Sequence, residues 1–203
     1  MAHYFENDKK LKSEEKNINV IIKNKKFTFL TDNGVFSKKG LDFGTRTLLE
    51  NIPDIKGDIL DIGCGYGPIG IFLKKSFDVS VDMIDVNLRC LGLAKKNAEL
   101  NKVDVNIFES NIYENVVKSY DYIITNPPIR IGKEKLYEIL IGAKKILKKE
   151  GQLWFVINKN QGAKSVYEDL KKEYNVEIIT KNKGFYIICA SNNWQFEIFL
   201  VKL

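Results

Sequence analysis

Apolar positions along the chain switch between two periods. The runs Val20-Ile-Ile22 and Phe27-Thr-Phe-Leu30 are rich in β-formers and are parted by Lys23-Asn-Lys-Lys26, the pattern of a hairpin. From Asp42 to Ile52 the spacing of Phe43, Leu48, Leu49 and Ile52 becomes helical. Short, nearly unbroken apolar runs follow at 58–62, 79–85, 103–109, 121–125 and 153–158, and read as strands. Helical stretches at 68–76 and 88–101 lie between the first three, the second marked by Leu88, Leu91, Ala94 and Ala98. A strand buried on both faces lacks the alternation of a half-exposed one. The order therefore predicts an α/β fold with parallel strands and right-handed crossovers.

Leu136, Ile139, Leu140, Ala143, Ile146 and Leu147 form one helical stripe, with Lys144, Lys145, Lys148 and Lys149 on the solvated face and Gly151 ending the helix. Val166, Tyr167 and Leu170 mark another helix, and residues 176–180 and 185–190 a terminal hairpin about Asn182-Lys-Gly184. The alternation of Phe196, Ile198, Leu200 and Leu203 reads as an added strand or a dimer contact, leaving a homodimer open.

Length and composition narrow the class. At 203 residues with 44% apolar content the chain supports one sizeable core, so a single domain over 1–203 is expected: an N-terminal arm and hairpin at 1–40, and an α/β core at 41–203. Residues 1–16, with His3, Tyr4 and Phe5, read as a mobile or loosely packed arm. No apolar run approaches the roughly 18 residues of a membrane helix, and the polar N-terminus does not read as a signal peptide, so a cytoplasmic protein away from membranes is expected. Cys64, Cys90 and Cys189 are scattered and His3 is the single histidine, which gives no zinc set. The net charge of +6 favours an anionic partner without identifying it.

The candidate chemistry begins at Asp58-Ile-Leu-Asp-Ile-Gly-Cys-Gly-Tyr-Gly-Pro-Ile-Gly70, a strand that turns into a glycine loop and a helix start. Gly63, Gly65 and Gly67 permit left-handed backbone and keep side chains off a ligand lying across the strand end. Such a loop alone also suits a nicotinamide or flavin enzyme. Asp85 closes the next strand about 20 residues on, where a ribose diol needs a bidentate acceptor. Asn126-Pro-Pro128 ends a later strand.

With these three features the chain resembles the class I S-adenosylmethionine-dependent methyltransferases, the loop at 61–67 matching their cofactor loop and Asn126-Pro127-Pro128 their amino-methylating motif. Adding Gly34-Val-Phe-Ser-Lys-Lys-Gly-Leu-Asp-Phe-Gly-Thr45 and Asn126-Pro-Pro-Ile-Arg-Ile-Gly-Lys133, it is similar to the small-subunit ribosomal RNA guanine-N2 methyltransferases. The resemblance implies a Rossmann-like sheet of seven strands in the order 3-2-1-4-5-7-6, with helices on both faces and a hairpin extension at the N-terminus. It implies S-adenosyl-L-methionine as cofactor, held by Asp61, Gly63, Cys64, Gly65, Gly67, Asp85, Val86, Asn111, Ile112 and Asn126, with Phe36, Asp42 and Thr45 closing the pocket from above. Asn111 stands where related enzymes carry an acid for the adenine amino group, so either its amide or the backbone and side chain of Ile112 takes that role.

The catalytic set implied is Asn126, Pro127 and Pro128. Phe36, Ile129, Arg130 and Lys133 would contact substrate, Ile129 occupying a position that is aromatic in the family. The partner implied is ribosomal RNA or the small ribosomal subunit. Adenine-N6 methylation of transfer RNA and glutamine-N5 methylation of release factors use the same Asn-Pro-Pro logic and remain alternatives. Some relatives of this kind carry a second methyltransferase-like domain that assists substrate binding.

Overall fold

The computed structural model describes residues 11–128 and 132–192. The readings for the arm at 1–10, for Ile129 and Arg130, and for the run at 196–203 lie outside the described residues.

Two strands, β1 (Lys16–Ile22) and β2 (Lys25–Thr31), form the N-terminal hairpin. They are joined by Lys23 and Asn24, both at positive φ (44° and 62°), a turn whose twist matches that of the strands it links. There follow α1 (Phe43–Asn51), β3 (Gly57–Ile62), α2 (Pro68–Ser76), β4 (Val79–Asp85), α3 (Leu88–Asn101), β5 (Asn106–Glu109), β6 (Tyr120–Thr125), α4 (Gly132–Gly142), β7 (Leu147–Asn158), α5 (Ala163–Leu170), β8 (Asn175–Asn182) and β9 (Phe185–Ser191).

Seven of these strands make one sheet in the order β5-β4-β3-β6-β7-β9-β8, parallel except where β9 pairs antiparallel with β7 and β8. Counted from β3, that is the expected 3-2-1-4-5-7-6. Side chains alternate between two cores. Ile59, Trp154 and Val156 pack with α1, α2, α3 and the hairpin, whereas Leu60, Leu153 and Phe155 pack with α4 and α5. Helices thus cover both faces, which is why the strands read as unbroken apolar runs.

The sequence reading needs three corrections. The helix expected to run on to Gly151 stops at Gly142, passes through a single 3-10 turn at Ala143–Lys145, and β7 begins at Leu147. Lys148 is not a solvated helix lysine: its Nζ donates to Asp58 and Asp121 at 2.8 Å each, across the starts of β3 and β6. Leu147 pairs with Tyr120 and Gln152 with Tyr122, so residues 148–151 bulge out, and Gly151 sits where a Cβ would come within 3.0 Å of the Tyr120 carbonyl oxygen.

Second, β5 starts at Asn106 rather than Val103. Lys102 caps α3 in the left-handed conformation and the Val103 N–H donates back to the Ala98 carbonyl at 3.0 Å, so those residues finish the helix instead.

Third, residues 11–15 are tied down. Ser13 Oγ and the Glu14 N–H donate to the Asp32 carboxylate, and Arg89 of α3 reaches both Asp32 Oδ2 (2.9 Å) and the Leu11 carbonyl oxygen (2.6 Å). Burial opposes charge on Asp32, but these donors outweigh it and hold the carboxyl below its usual range.

The hairpin is fastened to the core by two buried asparagines one turn apart on α3. Asn97 accepts from the Leu30 N–H (2.6 Å) and donates to the Leu30 carbonyl (2.9 Å), and Asn101 makes the same pair of bonds with Thr28 (3.3 and 2.7 Å). The side-chain amides act as a substitute strand along the edge of β2, meeting every second residue. Asn97 Nδ2 also donates to the Tyr66 carbonyl at 2.8 Å, linking hairpin and glycine loop.

Candidate active site

The carboxyl ends of β5, β4, β3 and β6 surround a cavity of about 620 Å³. This is the crevice at which open α/β sheets bind ligands, where the strand order reverses on either side of β3. Thr125 Oγ1 donates to the Ile62 carbonyl at 2.8 Å, locking the tips of β3 and β6 together. The glycine loop and Asn126-Pro-Pro thus face one another, with Pro128 Cδ 3.9 Å from where a Cβ on Gly63 would stand.

The loop itself is fixed by backbone contacts. The Cys64 N–H donates to the Ile84 carbonyl at 2.9 Å, and the Gly65 N–H to Asp85 Oδ2 at 2.9 Å. Gly65 has φ +57°, and a Cβ there would stand in open space at the cavity wall. Gly67, at φ +97°, precedes α2, and its missing Cβ makes room for Ile71 and Met83, which would lie 2.9 Å away. Gly67 therefore serves helix packing and does not line the cavity.

Asp85 presents a carboxylate at the strand end with Oδ1 accepting from the Asn87 N–H at 2.8 Å, which sets its plane. Burial pushes its carboxyl above the usual range against the pull of backbone donors on Asn87, Gly65 and Val86. Asp61 lies deeper, fully buried under the loop and off the cavity lining. Its Oδ2 accepts from the Gly70 N–H at 2.9 Å, while Oδ1 has no partner among the described residues. Burial pushes its carboxyl up to about 8. Such an uncompensated acid beneath a ligand site favours positive charge above it.

On the opposite wall the Asn126 amide is held by its nitrogen. Nδ2 donates to Thr45 Oγ1 at 2.8 Å and to Asp42 Oδ2 at 3.1 Å. A carboxylate accepts only, so the amide cannot be turned over without setting oxygen against oxygen. Oδ1 is thereby directed away from Asp42 and Thr45. Asp42 does this while capping α1, its Oδ2 also accepting from the Thr45 N–H at 2.9 Å.

Of the expected residues, Phe36, Thr45, Gly63, Cys64, Gly65, Asp85, Val86, Asn111, Ile112, Asn126, Pro127 and Pro128 line the cavity together. Asp42, expected over the cofactor, stands behind Asn126 instead. Asn111 is exposed and its Nδ2 is engaged by Glu114 Oε1 at 3.0 Å, while Ile112 takes a positive φ of 52° at the rim. Ser110, Tyr66, Ile69, Cys90, Lys135 and Ile139 also line the cavity and were not read from the sequence; they sit one residue past a strand end, inside the loop, or on helices where periodicity marks apolar residues only as core and Lys135 only as solvated. Burial pushes the thiols of Cys64 and Cys90 up, so neither is an activated nucleophile.

Lys133 turns away from this cavity. It lies over the Tyr137 ring, 5.2 Å from its centre, and borders a second cavity of about 450 Å³ behind Pro127 and Pro128, over the tips of β6 and β7. The two prolines are the partition between the cavities.

Residues 26–189 match the family model described as methyltransferase small domain. The chain is 44% identical to the uncharacterized protein YbxB of Bacillus subtilis over 93% of its own length and 97% of that protein's. It is 35% identical to ribosomal RNA small subunit methyltransferase C of Colwellia psychrerythraea, covering 77% of this chain but only 45% of that one. A solved structure of the T. thermophilus 16S rRNA N2 G1207 methyltransferase, in complex with AdoMet and guanosine, superposes with a TM-score of 0.80 at 22% identity, over 88% of this chain and 51% of the other. The chain spans about half the length of these ribosomal RNA methyltransferases.

Proposed function

Because the chain belongs to the methyltransferase small domain family, and is thereby an S-adenosylmethionine-dependent class I methyltransferase, we propose that it methylates an exocyclic amino group of an RNA base, namely guanine N2 in small-subunit ribosomal RNA. The single observation that carries this reading is the Asn126 amide, held through its nitrogen by Asp42 and Thr45 so that its oxygen is left to accept from an amine.

The residues present fit the cofactor. Asp85 offers a fixed carboxylate for a ribose diol, the open face at Gly65 admits a ligand against the backbone, and Asp61, with its orphaned Oδ1, is a buried acid that an ammonium or sulfonium above it would help to ionise. When bound, S-adenosylmethionine supplies a methyl carbon made electrophilic by its positive sulfur.

The remaining work falls to the protein. An aromatic amine is a poor nucleophile because its lone pair is delocalised into the ring. Asn126 Oδ1 and the Pro127 carbonyl accept its two hydrogens, which draws the nitrogen toward tetrahedral geometry and stabilises the positive charge that develops on it. The prolines fix φ, so these acceptors are in place beforehand. Asp42 adds a negative charge behind the amide. The alkylated nitrogen is acidic enough to release its proton to water without a strong base. Closure of the crevice by Phe36 and Thr45 keeps solvent from the reacting atoms.

In this reading the protein acts in the cytoplasm on ribosomal RNA or the small subunit. The test is to offer labelled S-adenosylmethionine with naked small-subunit RNA, assembled subunits, transfer RNA and release factor in parallel, and to identify the modified nucleoside. N2-methylguanosine in ribosomal RNA is expected. Label in a protein amide, or in adenine of transfer RNA, would overturn the substrate assignment.

A further inference from the structure

Exposed lysines without an ion pair to any described residue stand at both ends of the sheet, Lys56 and Lys149 at the strand starts among them, but only those at the strand ends lie on the side of Asn126. At the strand starts, Lys148 is neutralised by Asp58 and Asp121, and Lys118 by Asp82 at 3.1 Å. At the strand ends, beyond the cofactor crevice, Lys159, Lys181 and Lys183 are exposed and form no ion pair with any described residue.

These three lysines are held in place without being discharged. The Lys159 N–H donates to the Gly184 carbonyl at 2.7 Å, and its aliphatic stem lies 3.4–3.5 Å from where a Gly184 Cβ would be. Lys183 Nζ stands 5.0 Å from the centre of the Phe43 ring, and Lys181 Nζ 4.9 Å from that of Tyr186. Phe43, the first residue of α1 and the neighbour of its cap Asp42, packs on Phe185, so the β8–β9 turn abuts the group that orients Asn126. The cofactor crevice occupies the tips of β5, β4, β3 and β6. The tips of β7 and β9 are the half that remains for a substrate, and the second cavity, bounded by Pro127, Pro128, Ile157 and Asn160, opens beside the tip of β7 next to Lys159.

We infer that Lys159, Lys181 and Lys183 form the surface that grips the sugar-phosphate backbone of a single-stranded RNA while one base reaches Asn126. This rests on the RNA reading above. Uncompensated cations over aromatic rings beside a groove are the physical requirement for tracking an anionic strand without reading its sequence.

The test compares the wild-type protein with the triple variant Lys159→Gln/Lys181→Gln/Lys183→Gln, measuring anisotropy of a labelled, unstructured RNA oligonucleotide across a salt series. Each lost phosphate contact on a single strand lowers the salt slope by about 0.7, so the slope is expected to fall by about 2, with apparent Kd at 100 mM salt rising roughly 10–100-fold. Cofactor affinity, kcat at saturating RNA and melting temperature should stay as in the wild type. The double variant Lys56→Gln/Lys149→Gln, exposed at the opposite end of the sheet, should keep the parental slope. An unchanged slope in the triple variant, or an equal fall in the double, overturns the inference. If wild-type protein transfers label to RNA but the triple variant binds it unchanged, only this inference fails; if the slope falls as expected but label never enters RNA, the substrate reading fails and the cationic surface stands.

Discussion

Replacing Asp42 by asparagine removes one charge and almost no volume. Asparagine caps a helix as well as aspartate, so α1 keeps its start and the fold is expected to be unchanged. What changes is the bond that orients Asn126. Hydrogen bonds to an ionised partner are roughly twice as strong as neutral ones, so the 3.1 Å contact weakens by about 1 kcal/mol. The carboxylate also lies within about 8 Å of any amine bonded to the far side of that amide, where a half-developed positive charge is stabilised by about 1 kcal/mol at an effective dielectric of about 20. The sum, about 2 kcal/mol, corresponds to about 30-fold in the chemical step. The assay is single-turnover methyl transfer at saturating RNA and cofactor, with cofactor affinity measured separately by calorimetry; the rate should fall and the affinity should hold. Thr45→Val removes the neutral acceptor at 2.8 Å and is expected to cost about fivefold, with Thr45→Ser restoring most of it. A rate within twofold of wild type for Asp42→Asn, or a loss matched by weaker cofactor binding, would refute the role given to Asp42.

Asn126→Ala should abolish transfer with little change in cofactor affinity, whereas Asp85→Ala should act mainly on that affinity; the reverse pattern in paired calorimetry and turnover measurements means the roles are exchanged. Asp61, pushed up to about 8 by burial, keeps a proton in the folded protein that the unfolded chain releases above roughly pH 4. Cofactor-free protein is therefore expected to lose stability as pH rises from about 4 to about 8, and Asp61→Asn to lose less; parallel melting curves for the two across that range would contradict the assignment. Asn97→Ala strips partners from the Leu30 N–H, the Leu30 carbonyl and the Tyr66 carbonyl, and is expected to cost about 2–4 kcal/mol and about 5–12 °C in Tm. Asn97→Asp should not rescue it, because a carboxylate cannot donate to the two carbonyls; a Tm change under about 2 °C would show that the hairpin is held by its apolar face alone.

How much of this was legible in the chain depended on whether the signal was local. The strand ends at Asp85 and Thr125, and α2 and α3, stood at their observed limits in the apolar pattern, because strands covered on both faces are mostly apolar and the helices keep their own spacing. Asn97 and Asn101 carry the opposite lesson. They interrupt the apolar stripe of α3 and look like solvent-facing residues, yet they are buried because the partner they satisfy is the edge of β2, some 70 residues earlier. The last part of the helix expected to end at Gly151 failed for the same reason: Ile146 and Leu147 continue the helical spacing of α4, but Lys148 is drawn to Asp58 and Asp121, and that pull has no local trace.

The alternation of strands and helices along the chain, the glycine loop, the acid at the next strand end and the Asn-Pro-Pro corner were determined by the sequence itself, since each is a short-range constraint on φ or on burial. The direction of the Asn126 amide, the shielding of Asp61 from the crevice, the two cavities parted by Pro127 and Pro128, and the gathering of Lys159, Lys181 and Lys183 at the strand ends were decided only by the tertiary structure. Each of these depends on which distant group a side chain meets, and hydrogen bonds and charges act through space rather than along the chain.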